Sequence, residues 1–195
     1  MPRYPDPDLE DRLLHAAEVL WRRGGTKALT MRAVAKAAGS NTPAVYRRFK
    51  DRQDLVRGIL LRVAERLRKY FAQGRTASDM AEAYLQFALE NPHEYELFFS
   101  EARMLNVPRK RGMPPKPIRE SRPNFAFVEK VLANELGGAP EDYTRLALQL
   151  WAISHGTAVM LIQNTVPDGH EGELQEAFRT AVRALIEAAR PERTK

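Results

Sequence analysis

Leu55, Ile59, Val63, Leu67 and Phe71 stand four residues apart through a stretch that is otherwise rich in charge. Only a helix lays residues of that spacing along one face, so this stretch predicts a long amphipathic helix with one buried side. The same rhythm recurs along most of the chain. Leu9, Leu13, Ala16, Ala17 and Leu20, closed by Trp21, form one earlier stripe. Met80, Tyr84, Phe87 and Ala88 form another, stopped by Asn91-Pro92, and Tyr95, Phe98, Phe99 and Ala102 a third. Phe125, Val128 and Leu132 follow, ending at Gly137-Gly138. Glu141 to about Asn164 is long and strongly apolar, and Glu171 to Ala189 buries Leu174, Phe178, Val182, Leu185 and Ile186. Strand-type alternation persists nowhere and no internal repeat is visible. The fold class predicted is all-α, with about nine helices. A hydrophobic content of 44% over 195 residues is enough for a packed core and excludes wholesale disorder.

Punctuation between the stripes is most informative near the start. Gly24-Gly25 ends the first helix, as glycine does at helix C-termini. Thr30 can cap a second, short helix whose inner face is Met31, Val34, Ala35 and Ala38. Gly39 suits a turn that a side chain would resist. Asn41 or Thr42 then caps a third helix with Pro43 in its first turn, where a missing amide proton costs little. Val45 and Phe49, at i and i+4, anchor that helix inward. Asp51 can cap the long fourth helix, and Gly74 marks its end. A domain boundary is expected near residues 73–77, giving domains 1–73 and 74–195. Residues 106–124 break the helical pattern with five prolines and six basic residues, the composition of a flexible loop.

Charge singles out the same early segment. Between Val19 and Lys50 there is no acidic residue, yet Arg22, Arg23, Lys27, Arg32, Lys36, Arg47, Arg48 and Lys50 all lie there. Residues 1–70 hold sixteen Lys/Arg against eight Asp/Glu, whereas the remainder holds fifteen against seventeen. A basic head on a near-neutral body suits a polyanion bound by the head alone. Helix, turn and basic aromatic helix over about residues 30–49 have the dimensions that enter the major groove of duplex DNA.

Other chemistries find little support. The chain has no cysteine, which removes disulfides, iron–sulfur clusters and thiol-ligated zinc. His15, His93, His155 and His170 show no metal-ligand spacing, and Ser154-His155 are neighbours without a third catalytic partner. No phosphate-binding glycine loop is present. An enzyme is therefore not expected, and neither a cofactor nor a metal is called for. No apolar leader or run of the length needed to cross a bilayer stands out, so no membrane role and a cytoplasmic location are expected.

The segment from about Leu9 to Leu60 resembles the DNA-binding domain of tetracycline-repressor-type (TetR/AcrR) transcriptional regulators. The resemblance rests on Ala16-Ala17, Leu20, Gly24, Leu29-Thr30, Val34-Ala35, Ala38-Gly39, Tyr46, Phe49 and Leu55. Ser40 departs from the pattern, standing where the family usually has an apolar residue, and Arg52 replaces a common lysine. The resemblance implies that Arg32, Thr42, Pro43, Ala44 and Arg47 face base edges. Arginine can donate twice to guanine, and Pro43 and Ala44 can touch thymine methyls. Thr30, Tyr46, Arg48, Lys50 and Arg52 are implied as phosphate contacts, with Asn41 on the same surface.

Trp151, His155 and Gly156 are similar to a Trp–His–Gly signature of one C-terminal subtype. A core tryptophan and a hydrogen-bonded histidine beside a helix crossing at Gly156 would fit those residues equally well. The family further implies a homodimer paired through the last two helices, an inverted-repeat operator, and release by a small-molecule effector. Tyr84, Phe87, Tyr95, Phe98, Phe99, Phe125, Trp151 and His155 are the candidate lining of that effector's pocket. The competing function is a non-specific architectural DNA-binding protein.

Overall fold

The computed structural model describes residues 7–105, 116–122 and 124–191, and all the regular structure among them is helical. They divide into two compact units. The division falls inside the long fourth helix, after Val63, and again after Tyr95. That helix ends at Phe71, beside the residues 73–77 where the sequence reading places its boundary.

The first unit holds α1 (Leu9–Ala28), α2 (Met31–Ala37), α3 (Thr42–Arg48), the first half of α4 (Arg52–Phe71) and residues 96–105. Regular α1 stops where the glycines stand. Gly24 is non-helical and Gly25 takes φ 60°, after which a further turn runs to Ala28. Thr30 caps α2 by accepting from Ala33 N–H at 3.1 Å, and Asn41, rather than Thr42, caps α3 by accepting from Ala44 N–H at 2.9 Å. Gly39, at φ 64°, makes the turn between them. Asp51 accepts from Asp54 N–H at 2.9 Å while Asp54 accepts from Lys50 N–H at 3.0 Å, so the start of α4 is locked reciprocally. The core is Leu13, Ala17, Trp21, Leu29, Val34, Val45, Phe49, Leu55, Ile59 and Leu60, all buried. Gly58 lies where α1 and the end of α3 press on α4. A Cβ there would stand 2.9 Å from Leu14 Cδ2 and 3.2 Å from Phe49 Cε1.

The second unit holds the rest of α4, α5 (Ala77–Glu90), the first turn of α6 (Pro92–Glu101), α7 (Ile118–Ser121), α8 (Phe125–Leu136), α9 (Thr144–Ile162) and α10 (Glu171–Ala188). Thr76 and Asp79 form a capping box at the start of α5. A 3₁₀ turn at Pro140–Tyr143 precedes α9, which packs mainly on α5 and α10. The final half of α4 is fastened by Arg66 to Glu94 at 2.9 Å, by Tyr70 O–H to Glu90 at 2.6 Å, and by Asn124 donating to Ala64 O at 2.9 Å. Phe127 stacks on Phe71 and lies under the Arg68 guanidinium.

One expectation changes. Residues 118–121 of the expected loop form α7, while residues 106–115 and 123 lie outside the described residues. The segment Pro140–Ile162 is long and apolar enough to cross a bilayer by length and composition, although a third of its most apolar window is buried inside this unit.

Gly58→Val places a branched side chain against Leu14 and Phe49, and overpacking of this kind costs about 1–3 kcal/mol. Urea unfolding of the variant should show a loss in that range with α-helical content retained.

Candidate nucleic-acid interface

The surface of α2 and α3 carries no carboxylate in either first turn and has Lys36, Arg47 and Arg48 in the last turns. Val45 and Phe49 face the core, which turns Pro43, Tyr46 and Arg47 outward at i, i+3 and i+4. Tyr46 is 54% exposed, so its ring and hydroxyl lie on the outward face of α3. Arg32, Asn41, Arg48, Lys50 and Thr30 are exposed on the same unit, and Thr42 is half-buried. Thr30 and Asn41 already serve as caps, so their side chains hold the two helices in shape whatever else they touch.

Two of the expected contacts point elsewhere. Ala44 is only 3% exposed, so its methyl is packed in the core. One residue of helical register, about 100°, separates it from exposed Pro43. The Arg52 guanidinium is turned inward: its Nε–H donates to Leu29 O at 2.9 Å and its Nη2–H to Thr26 O at 2.6 Å. Arg52 thus ties the first turn of α4 to the α1–α2 junction.

The second unit collects a different chemistry. Trp151 Nε1–H donates to Tyr84 Oη at 3.2 Å, Tyr84 Oη lies 3.1 Å from Tyr95 Oη, and Tyr95 Oη lies 2.5 Å from His155 Nδ1. Trp151 and His155 are four residues apart on α9, and the two tyrosines from α5 and α6 bridge them. The tyrosine rings meet edge to face at 5.8 Å. Burial raises both phenol pKa values, that of Tyr84 strongly, and lowers that of the His155 imidazole. The chain is therefore uncharged near neutral pH.

The remaining candidates separate from this chain. Phe87 packs edge-on against Tyr70 at 5.3 Å, and Phe125 is a buried core residue. Phe98 and Phe99 fall in the first unit, where their rings meet at 5.2 Å. Sequence reasoning passed over Glu129, which is fully buried. Its place between Val128 and Leu132 on the α8 stripe was the available signal. Among the described residues no group of three His, Asp or Glu is placed to hold a metal ion.

An all-helical chain with a basic helix-turn-helix in its first unit belongs to the class of helix-turn-helix DNA-binding proteins. Two family models match it. Bacterial regulatory proteins, tetR family, matches residues 13–59, and the tetracyclin repressor-like C-terminal domain matches residues 77–185, more than half of the chain. The chain belongs to the TetR family of transcriptional regulators.

Solved structures share its fold at low identity. A protein of unknown function from Rhodococcus sp. RHA1 is 21% identical, with 96% of this chain and 98% of that one covered at a TM-score of 0.66. The multidrug binding protein EbrR complexed with imidazole is 18% identical over 100% and 96%, again at 0.66. TetR from Acinetobacter baumannii AYE is 15% identical over 90% and 93%, at 0.55. No curated protein sequence matches the chain.

Two outcomes follow from this geometry. Arg52→Ala removes two charge-assisted bonds to backbone carbonyls and should lower stability by about 2–3 kcal/mol, measured by urea unfolding. The salt dependence of DNA affinity should stay unchanged. His155 has a folded-state pKa depressed below its ordinary 6.5. As pH falls through that value the unfolded chain takes up a proton that the folded chain resists, so stability present at neutral pH declines. His155→Gln should flatten the fall in Tm between about pH 7 and pH 5.

Proposed function

We propose that this regulator is a repressor that binds an inverted-repeat operator as a homodimer and leaves it when a small molecule binds. Residues 1–73 act as the DNA-binding domain and residues 74–195 as the effector-binding and dimerisation domain, working in the cytoplasm. The observation that carries the reading is the acid-free, outward face of α3, with Pro43, Tyr46 and Arg47 exposed on a helix whose other side is fixed in the core. Arg32, Thr42, Pro43 and Arg47 take the role of base contacts. Thr30, Tyr46, Arg48 and Lys50 take that of phosphate contacts, with Asn41 beside them. Arg52 and Ala44 drop out of the contact set on the geometry above.

Pairing through α9 and α10 is supported by what those helices leave open. Leu148 and Met160 are 39% and 42% exposed, Ala152 and Gly156 are exposed between them, and Ala177, Ala184 and Ala188 are exposed on α10. A Cβ built on Gly156 would meet nothing within 4 Å, so the helix crossing anticipated there has no partner among the described residues. A second copy laid on this apolar side would cover it, and would set two recognition helices about 34–36 Å apart. For the effector, Trp151, Tyr84, Tyr95 and His155 form the reading group. A coupling of about 1–3 kcal/mol between effector and operator is ordinary for such linkage.

In vitro selection of bound duplexes by the purified full chain tests the reading. It should return an inverted repeat preferred over random DNA by at least about 10³. Equal affinity for selected and random duplexes would instead establish an architectural binder. Arg47→Ala should cost about 1–3 kcal/mol and relax preference at one position in each half-site.

A further inference from the structure

Glu129 is fully buried, and its carboxylate sits at the start of α9. Oε1 accepts from Thr144 Oγ1–H at 2.6 Å and from Arg119 Nη2–H at 3.2 Å. Oε2 also lies 3.2 Å from that nitrogen, but without the alignment of a hydrogen bond, and among the described residues no other group donates to it. Among the described residues the buried anion thus faces one guanidinium, and half of its accepting capacity is unused. Arg119 closes the site from outside. Its side chain is 24% exposed, and its Nη1 pairs with the more exposed Glu141.

The carrier of this plug is slight. Helix α7 spans only Ile118–Ser121, and the other described polar bonds of its residues are local: Ser121 Oγ–H to Ile118 O, and the Lys116–Glu120 pair. A one-turn helix has almost no stability of its own, so Arg119 is the described polar anchor that holds it down. Lifting it would strand a buried carboxylate, which is strongly unfavourable unless another cation takes its place. That requirement defines the replacement: a cation small enough for the space of a guanidinium, carrying at least two N–H donors to satisfy both oxygens. A hard divalent ion is a poorer match, because two carboxylates and one hydroxyl fall short of the six or more oxygens it takes.

We propose that Glu129, with Thr144, is a binding site for organic cations of the amidinium or guanidinium type, and that Arg119 is a resident stand-in for the ligand. Binding exchanges one cation for another at the carboxylate and releases α7. The site is distinct from the Trp151–Tyr84–Tyr95–His155 chain and does not depend on the operator reading.

Calorimetric titration of the full chain with benzamidinium chloride tests it, with tetramethylammonium as a cation lacking N–H donors. Arg119→Ala should bind benzamidinium at least tenfold more tightly than the native chain. Adding Glu129→Gln should remove that gain, and tetramethylammonium should not bind. Equal binding with and without Glu129→Gln, equal binding of tetramethylammonium, or tighter binding of calcium than of benzamidinium would each overturn the proposal. Should Arg119→Ala fail to fold, hydrogen exchange on the native chain decides. Amides of residues 118–121 should exchange at least tenfold faster in saturating benzamidinium, and unchanged exchange would overturn it.

Discussion

A helix of seven residues does not hold together in water by itself, because nucleation is costly and few intrahelical bonds can form. Yet α3 must keep its shape if Pro43, Tyr46 and Arg47 are to meet a partner in fixed register. Its rigidity comes from three outside supports. Asn41 satisfies a free amide at its start, Val45 and Phe49 bury its inner side, and Gly58 on α4 leaves the room that Phe49 occupies. Arg52 then ties α4 to the carbonyls that precede α2. The exposed face of α3 is as well defined as this core, so function at the surface depends on packing beneath it.

The second unit solves a different problem. Its polar interior is organised in two ways, one without charge and one with it. The Trp151–Tyr84–Tyr95–His155 chain joins three helices by hydrogen bonds between neutral groups, which cost little to bury when each is partnered. Arg119 and Glu129 instead place a charge in the interior and depend on its counter-ion staying put. The first arrangement suits a site that must persist. The second suits one that exchanges. Helix α4 contributes to both units, with Arg52 and Arg62 bonded within the first and Arg66 and Tyr70 within the second.

Local features were legible in the sequence. The five residues from Leu55 to Phe71 are all buried, and Thr30 and Asn41 cap the helices they precede. These depend on spacing and on neighbours within four residues. What was not legible depends on partners far along the chain. Arg52 reaches carbonyls 23 and 26 residues earlier, and a charged side chain does not announce which way it turns. His155 and Trp151 meet tyrosines 60 and 67 residues away, so the Trp–His pairing was visible while its bridge was not. Ala44 was misplaced by a single step of helical register. Helix α7 is too short to leave a periodic signal, and its anchoring ion pair lies ten residues off.

The central claim is that duplex DNA is met by the α2–α3 face and by nothing else of comparable size. Amide hydrogen exchange of the full chain, with and without its selected duplex, measures this directly. The account predicts protection concentrated between Thr30 and Lys50. Protection centred on another surface, with Tyr46 and Arg47 exchanging as in the free protein, would contradict it.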